Sequence, residues 1–517
     1  MKHIELFAGC GGLCLGLNKA GFDLSLANEL SPMAAETFSY NMLGEDLAAS
    51  ANYSKTLWLS SKYSKDIEFK NRLREDPREY PDPINNSDLK EDGSNLIGSL
   101  VVGNILSLNK WLDNHPVALK KIQELGIDLV SGGPPCQSFS LAGLREKNNA
   151  KNSLPWAFAS FVNLIKPRCV LLENVTGILR PFEENGKKYH AWFEVAKTFA
   201  QYGYVPLTLH VNAKFAGVAQ NRPRFILIGL RADEYQRIFN TFNECEKELF
   251  KSSDNFFNKI RNHQEVNIED LTVHDLNKGD TNTFKLFSNS FLKSLCVKTH
   301  DFVSVKEAIG DLSDTEPTKI SDYVNNINTL FSEMLAHPSA ELSCNTRQTI
   351  TPRVKRRYRI YQVMTQVSKE TQKALHNIIC GKSDTLDPIS WDEVSGFLFL
   401  NEKEKLTKFK SKSKFSEYLK EHQTKKQTQR ALLRDEPAPA ALSIPDDGCH
   451  YSDIRTLTAR EMARIQSFPD SFVFKSKLTT GGLNRRFEVP IYTQIGNAVP
   501  VLLGYALGQA ISILLDR

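Results

Sequence analysis

The longest uncharged run of this 517-residue chain, 489–515, is broken by Pro490 and Pro500 and carries several polar residues, so no membrane-spanning helix is expected. The amino terminus begins with the strand-like HIELF and lacks the charged-then-apolar pattern of a signal peptide. These absences lead us to expect a cytoplasmic protein in a reducing compartment, with no membrane partner. Nine cysteines are present, yet none forms a C-x-x-C pair or joins a histidine at metal-ligand spacing, so no metal site is expected. Cys10 and Cys14 flank glycines in an apolar stretch and read as small buried side chains. A G-x-x-x-x-G-K-[ST] phosphate loop is also missing, which argues against a nucleoside triphosphate site. The formal charge of +5 is small for this length and permits a nucleic-acid partner without arguing for one.

What is present is organised. Short apolar or β-branched runs at 4–7, 22–28, 100–103, 127–131, 170–173, 205–211 and 225–230 alternate with helical patterns. That alternation indicates a mainly parallel sheet covered by helices. The last two runs are joined by a short loop, which predicts a closing hairpin with one antiparallel strand. A charged, proline-containing insert at about 42–95 breaks the rhythm and reads as an excursion from the sheet's edge. From 232 to about 450 the composition turns polar and irregular, with no internal repeat, and predicts a second domain. Within it, residues 403–430 carry ten basic side chains against three acidic ones, interleaved with Phe and Tyr. Regular patterning returns near 455–474, and the chain ends in an apolar helix.

Four stretches carry chemistry. FAGCGG (7–12) is a strand followed by a glycine turn and a helix start, where backbone can approach a ligand closely. The next strand ends in Glu29, where an acid suits the two hydroxyls of a ribose. A nucleoside cofactor carrying a carboxylate rather than phosphates fits this pair. SGGPPCQSFS (131–140) puts Cys136 on the loop leaving a strand's carboxyl end, its position stiffened by Pro134 and Pro135. As a thiolate, Cys136 would be a nucleophile; as a thiol it would only fill space. Glu173 ends the apolar strand VLLENV, where a carboxyl could hydrogen-bond a ring nitrogen or merely cap the next helix. Arg222 and Arg224 in QNRPR precede a strand and could grip a carbonyl oxygen or a phosphate, or form surface ion pairs.

Taken together these stretches resemble the cytosine-C5 DNA methyltransferases of bacterial restriction–modification systems. FAGCGG, GGPPCQSFS, ENV and QNRPR resemble four of that family's motifs; RTLTAREMARIQSFPDSF (455–472) and QIGNAVP (494–500) resemble two more, all in the family's order. The resemblance implies a Rossmann-like, S-adenosylmethionine-binding α/β domain at 1–231 and a target-recognition domain at 232–450. Residues 451–517 would hold the junction motif and a helix that returns to the catalytic domain. It implies that Cys136 attacks C6 of a flipped-out cytosine, Glu173 holds N3 and the exocyclic amine, Arg224 contacts O2, and Arg222 supports the nucleophile loop or a phosphate.

The implied cofactor residues are Phe7, Gly9, Gly11, Glu29, Asn104, Ile105, Pro134, Leu154, Asn497 and Val499, and the implied DNA contacts are Gln137, Ser140 and Gln220. Lys408, Lys410, Lys412 and Lys414 are added as phosphate contacts from the basic stretch. The family often has Asp where Glu5 stands, and usually Gly-Asp-Ile where this chain has Gly103-Asn-Ile105. Asn104 can still accept a hydrogen bond from adenine, but without charge, so weaker cofactor binding is expected. The partners implied are duplex DNA and a companion restriction endonuclease, with the enzyme acting as a monomer. Two alternatives stand beside this reading. The RNA-methylating branch typically carries a Cys-Phe-Thr motif, which is absent here; a catalytically inactive DNA-binding relative would not need Cys136, Glu173, Gln220, Arg222 and Arg224 together.

Overall fold

The computed structural model describes residues 1–49, 52–81, 84–135, 153–184, 187–426, 428–440, 444–445 and 448–517. Nine strands form the main sheet: β1 (Lys2–Leu6), β2 (Asp23–Glu29), β3 (Thr56–Trp58), β4 (Ser99–Val102), β5 (Leu129–Gly132), β6 (Cys169–Val175), β7 (Tyr204–Asn212), β8 (Pro223–Arg231) and β9 (Val273–Asp275). Their spatial order is β9-β7-β8-β6-β5-β1-β2-β4-β3. β1 runs parallel to both β2 and β5, with Glu5 opposite Ala27 on one side and Ser131 on the other. Only β8 is antiparallel to its neighbours in this sheet, placing Arg224 opposite Val175 and Ile226 opposite Glu173. The expected hairpin is therefore present as β7 and β8.

The strands read as near-continuous apolar runs because both faces are covered: β4, β5 and β7 are buried along their whole length. The chain leaves β1 towards β2 and β4 on one side, while β5 and β6 lie on the other. The strand order therefore reverses at the carboxyl ends of β1 and β5, where open α/β sheets bind their ligands. The carboxy-terminal helix Val501–Leu515 packs on the first helix, Gly12–Lys19, through small residues. A Cβ on Gly16 would sit 2.5 Å from the Val501 carbonyl oxygen, so only glycine permits this approach.

Two features depart from the sequence reading. The insert does more than leave the sheet, since β3 is its outermost strand on that side. On the other side, the chain stays with the sheet well past 231. β9 adds beside β7, and Tyr235, Phe242, Leu249, Phe250, Phe256, Phe287, Phe291 and Leu295 join the sheet's own core. The polar composition of this stretch concealed an amphipathic helix, Glu244–Arg261, opened by an Asn243/Glu246 capping box and buried at Leu249, Phe250, Ser253, Phe256 and Phe257.

The second module has a core of its own, built from Tyr358, Tyr361, Leu375, Ile378, Phe399, Phe415, Tyr418 and Leu419. Beside it, the segments 305–331 and 457–474 share a further apolar core and a charge hub. Arg455 pairs with Asp453 at 2.7 Å, Glu461 at 2.8 Å and Asp314 at 2.9 Å, while Arg464 pairs with Asp311 at 2.6 Å and Asp470 at 2.7 Å. Burial pushes the Asp453 carboxyl up, but hydrogen bonds from Thr315, the Asp314 amide and Ser313 hold it well below the usual range.

Candidate active site

Backbone strain marks the loop after β1. Phe7 has φ +55°, and Gly9 and Gly11 have φ +55° and +96°. A non-glycine residue in that region costs on the order of 1–3 kcal/mol and persists where the surroundings impose it. Here the Ala8 amide donates to the Asn28 carbonyl at 3.0 Å, and the Asn28 side chain donates to the Val101 and Gly103 carbonyls at 2.9 and 3.0 Å. The ends of β1, β2 and β4 are thereby tied together.

Glu29 is held in place by backbone. The Gly9 amide donates to Oε2 and the Ser31 amide to Oε1, each at 2.8 Å. Burial raises the Glu29 carboxyl, and those amides oppose the rise. Asn104 caps the helix Ile105–Asn114 by accepting the Leu106 amide at 2.9 Å, so its oxygen already has one partner before any ligand. Ile105 is buried, and Phe7 and Gly9 are half-buried.

Beneath the loop, His3, Glu5 and Cys14 bring one potential ligand atom each within 4.8 Å of one another. Burial pushes the Glu5 carboxyl and the Cys14 thiol up and the His3 imidazole down to about 3. His3 Nε2 pairs with Ser131 Oγ at 2.7 Å.

The carboxy-terminal motif closes on this loop. A Cβ on Gly12 would lie 2.5 Å from the Val499 carbonyl oxygen, so that glycine permits contact between FAGCGG and QIGNAVP. Gln494 is a buried clasp between the motif and the helix Pro32–Phe38, accepting from Thr37 Oγ1 at 2.6 Å and donating to the Met33 carbonyl at 3.1 Å. Val499 is buried and Asn497 exposed.

Arg222 is buried, and its Nη2 donates to the Gly496 and Ala498 carbonyls at 3.1 and 3.0 Å. Burial lowers its guanidinium well below the usual value, with Arg224 adding to the effect. Arg222 thereby joins the β7–β8 hairpin to the carboxy-terminal motif. Gln220 was expected to contact DNA, but its side chain is fully buried and its Oε1 faces Arg222 at 3.4 Å. Its short strand pairs in parallel with Ala438–Pro439.

On the other side of the switch point, Glu173 lies two residues before the end of β6 with its Oε1 2.7 Å from Arg224 Nε. Both side chains are about one-tenth exposed. Glu173 Oε2 lies where a Cβ on Gly133 would approach to 2.9 Å, so the second glycine of GGPPC is needed for this contact. Asn174, which sequence reasoning passed over, donates to the Pro134 carbonyl at 3.0 Å and so pins the start of the cysteine loop to the end of β6. Pro134 is buried, and Leu154 opens the helix Leu154–Ile165 half-buried. Cys136, Gln137 and Ser140 lie outside the described residues.

In the second module, two basic stretches are used differently. Three of the four arginines of the helix Pro352–Met364 are bound internally: Arg356 to His422 Nε2 at 2.9 Å, Arg357 to the His422 carbonyl at 3.1 Å, and Arg359 to the Leu398 carbonyl at 2.8 Å, while Arg353 is exposed. By contrast Lys408, Lys410 and Lys414 are exposed and Lys412 half-buried, and none of their ammonium groups makes an ion pair among the described residues.

Comparison with known proteins finds relatives that align along nearly the whole chain. Type II methyltransferase M.DdeI of Desulfomicrobium norvegicum is 26% identical over 519 residues, covering 99% of this chain and 88% of its own. M.PspPI of Psychrobacter sp. is 25% identical across 99% of this chain and 79% of its own, and M.Bpa9945I of Bacillus paralicheniformis 24% across 99% and 98%. The sequence model for C-5 cytosine-specific DNA methylase matches residues 1–66 and 109–512, and the chain therefore belongs to the C-5 cytosine-specific DNA methylase family.

Proposed function

We propose that the protein methylates C5 of a cytosine flipped out of a specific duplex DNA sequence, with Glu173 and Arg224 as the ring-binding pair and Cys136 as the nucleophile. The observation that carries this reading is the buried Glu173–Arg224 pair at the carboxyl edge of the sheet, with Glu173 against Gly133 and Asn174 bonded to the carbonyl of Pro134, two positions before Cys136. A cytosine presents there an acceptor and an amine on one edge and O2 beside them, which a carboxyl and a guanidinium can address together. Cytosine C5 is a weak nucleophile. Addition of the Cys136 thiolate to C6 makes C5 enamine-like and able to take up an electrophile. Loss of the C5 proton to a base, with expulsion of the thiolate from C6, then restores the aromatic ring.

The residues around the β1 loop fit S-adenosylmethionine. Glu29 is fixed to meet two ribose hydroxyls, the positive-φ glycines leave backbone open to close approach, and no phosphate-binding loop competes. When bound, that cofactor supplies an electrophilic methyl group. Phe7, Gly9, Gly11 and Glu29 would line its nucleoside and methionine side, Asn104 and Ile105 the adenine edge, and Pro134, Leu154, Asn497 and Val499 the wall nearest the base. The second module, about 300–450, would read the target, with Lys408, Lys410, Lys412 and Lys414 on phosphates.

A restriction–modification setting with a companion endonuclease, and action as a monomer in the cytoplasm, complete the proposal. No single helix among the described residues is long and apolar enough to cross a membrane.

Duplex DNA carrying 5-fluorocytosine at the target tests the chemistry. Fluorine cannot leave C5 as a cation, so after methyl transfer the enzyme should remain covalently attached, only with S-adenosylmethionine present, and through a peptide spanning 132–140. Cys136→Ser should abolish both the adduct and turnover. An adduct mapping elsewhere, or methyl transfer to RNA instead of DNA, would overturn the proposal.

A further inference from the structure

The insert is built around a buried arginine. Arg72 donates to Asp88 Oδ2 at 2.8 Å, to the Tyr63 carbonyl at 2.8 Å, to the Asn86 carbonyl at 2.7 Å and to the Tyr53 hydroxyl at 3.1 Å, with its guanidinium 5.6 Å from the Trp58 ring. Because Trp58 belongs to β3, this scaffold is continuous with the main sheet. From it, residues 74–80 turn back over the end of β2. Arg74 reaches Glu36 at 3.1 Å, and Asp76 caps the turn Pro77–Glu79. The Arg78 guanidinium lies 4.7 Å over the Phe487 ring, and the Tyr80 hydroxyl donates to the Leu30 carbonyl at 3.1 Å.

That last bond falls on a particular peptide group. The carbonyl of Leu30 and the amide of Ser31 belong to one planar unit, and the Ser31 amide donates to Glu29 Oε1 at 2.8 Å. Tyr80 is thus linked to the Glu29 carboxylate through a single peptide, hydroxyl to carbonyl on one face and amide to carboxylate on the other. Donation to the carbonyl polarises the peptide and strengthens its N–H as a donor, and it also fixes the plane in which that N–H points. Gly9 anchors the other carboxylate oxygen.

We propose that Tyr80 is a positioning residue for the cofactor: the insert sets the orientation of Glu29 through the Leu30–Ser31 peptide, and so tunes nucleoside affinity without touching the reacting atoms. This rests on the reading of Glu29 as the ribose ligand. It gives the insert a role in binding as well as an edge strand in the sheet.

Calorimetric titration of the full-length protein with S-adenosylhomocysteine tests it in a double-mutant cycle of Tyr80→Phe and Glu29→Gln. Tyr80→Phe keeps the ring and removes only the donor. Its dissociation constant should rise about threefold to tenfold, with kcat at saturating cofactor unchanged and the unliganded thermal midpoint lowered only by the loss of one hydrogen bond. In the Glu29→Gln background the same change should have little further effect, because the group it positions has been altered. If Glu29→Gln weakens binding but Tyr80→Phe does not, or if the two effects simply add, the role of Tyr80 is overturned while the ribose reading stands. If Glu29→Gln leaves affinity intact, the ribose reading itself fails, and the Tyr80 proposal with it.

Discussion

In the function proposed, the sheet's carboxyl edge and the Lys-rich surface of the second module both work through charged side chains, yet they hold charge in opposite ways. At the edge, Glu173, Arg224, Arg222 and Glu29 are buried or nearly so, each engaged by a partner on another element. Lys408, Lys410 and Lys414 stand exposed, without protein partners among the described residues. A charge brought into low dielectric must be paired, which makes its position precise and its loss expensive. A solvated charge is cheap to keep and individually replaceable. Chemistry that must place atoms to a fraction of an ångström uses the first arrangement, and attraction to a uniform phosphate backbone uses the second.

Replacing Glu173 should separate the two regions most sharply. Glu173→Ala leaves the Arg224 guanidinium buried without its carboxylate. We expect methyl transfer to fall by about a hundredfold to a thousandfold and stability by about 3–5 kcal/mol. Steady-state methylation and denaturant unfolding measure the pair. Activity within a few-fold of the parent would remove Glu173 from the site.

Arg222→Ala comes next, and its effect should be on stability before chemistry. Two buried carbonyls, at Gly496 and Ala498, would lose their donor, which costs about 2–4 kcal/mol. Hydrogen exchange should report early loosening of the carboxy-terminal motif relative to the sheet. A stable variant with only weakened DNA binding would instead favour a phosphate contact.

These residues also show what was legible in the sequence. The sheet, its antiparallel hairpin and the ends at Glu29 and Glu173 could be read because apolar strands bounded by an acid or a glycine turn leave a local pattern. Arg222 could be singled out but its partner could not, since the carbonyls it binds lie 274 and 276 positions away and carry no side-chain signature. The packing of residues past 231 on the sheet was hidden for a related reason: the helix Glu244–Arg261 holds one apolar face among charges, and overall composition averages that face away. Tyr80 was invisible, because its bond is to a backbone carbonyl within a polar insert. In the second module the surface lysines were legible as composition only, for solvent-facing side chains obey no internal spacing.

Neutralising Lys408, Lys410, Lys412 and Lys414 together probes the solvated region. If all four meet phosphates, the slope of log affinity against log salt should flatten by about 0.9 per contact, equally for target and non-target duplexes, with the thermal midpoint unchanged. A preserved slope with lowered stability would mean that these lysines serve the module's own fold.

The smallest expected effect lies where the two arrangements meet, at Asn104. Its oxygen caps the helix Ile105–Asn114 through the Leu106 amide, and it borders the proposed adenine edge half-exposed. Asp is as good a cap as Asn and adds a negative charge at a helix amino end, so Asn104→Asp should raise stability by about 0.3–1 kcal/mol. An ionised oxygen with a spare lone pair also accepts from an amino group more strongly than an amide does, so cofactor affinity should stay equal or tighten. Asn104→Ala separates the two jobs: loss of the cap costs about 0.5–2 kcal/mol whatever the ligand does. Affinity that falls further than this loosening explains would assign the oxygen to adenine as well. Affinity that is untouched by both changes would make Asn104 a cap alone, and would leave the departure from Gly-Asp-Ile without consequence for the cofactor.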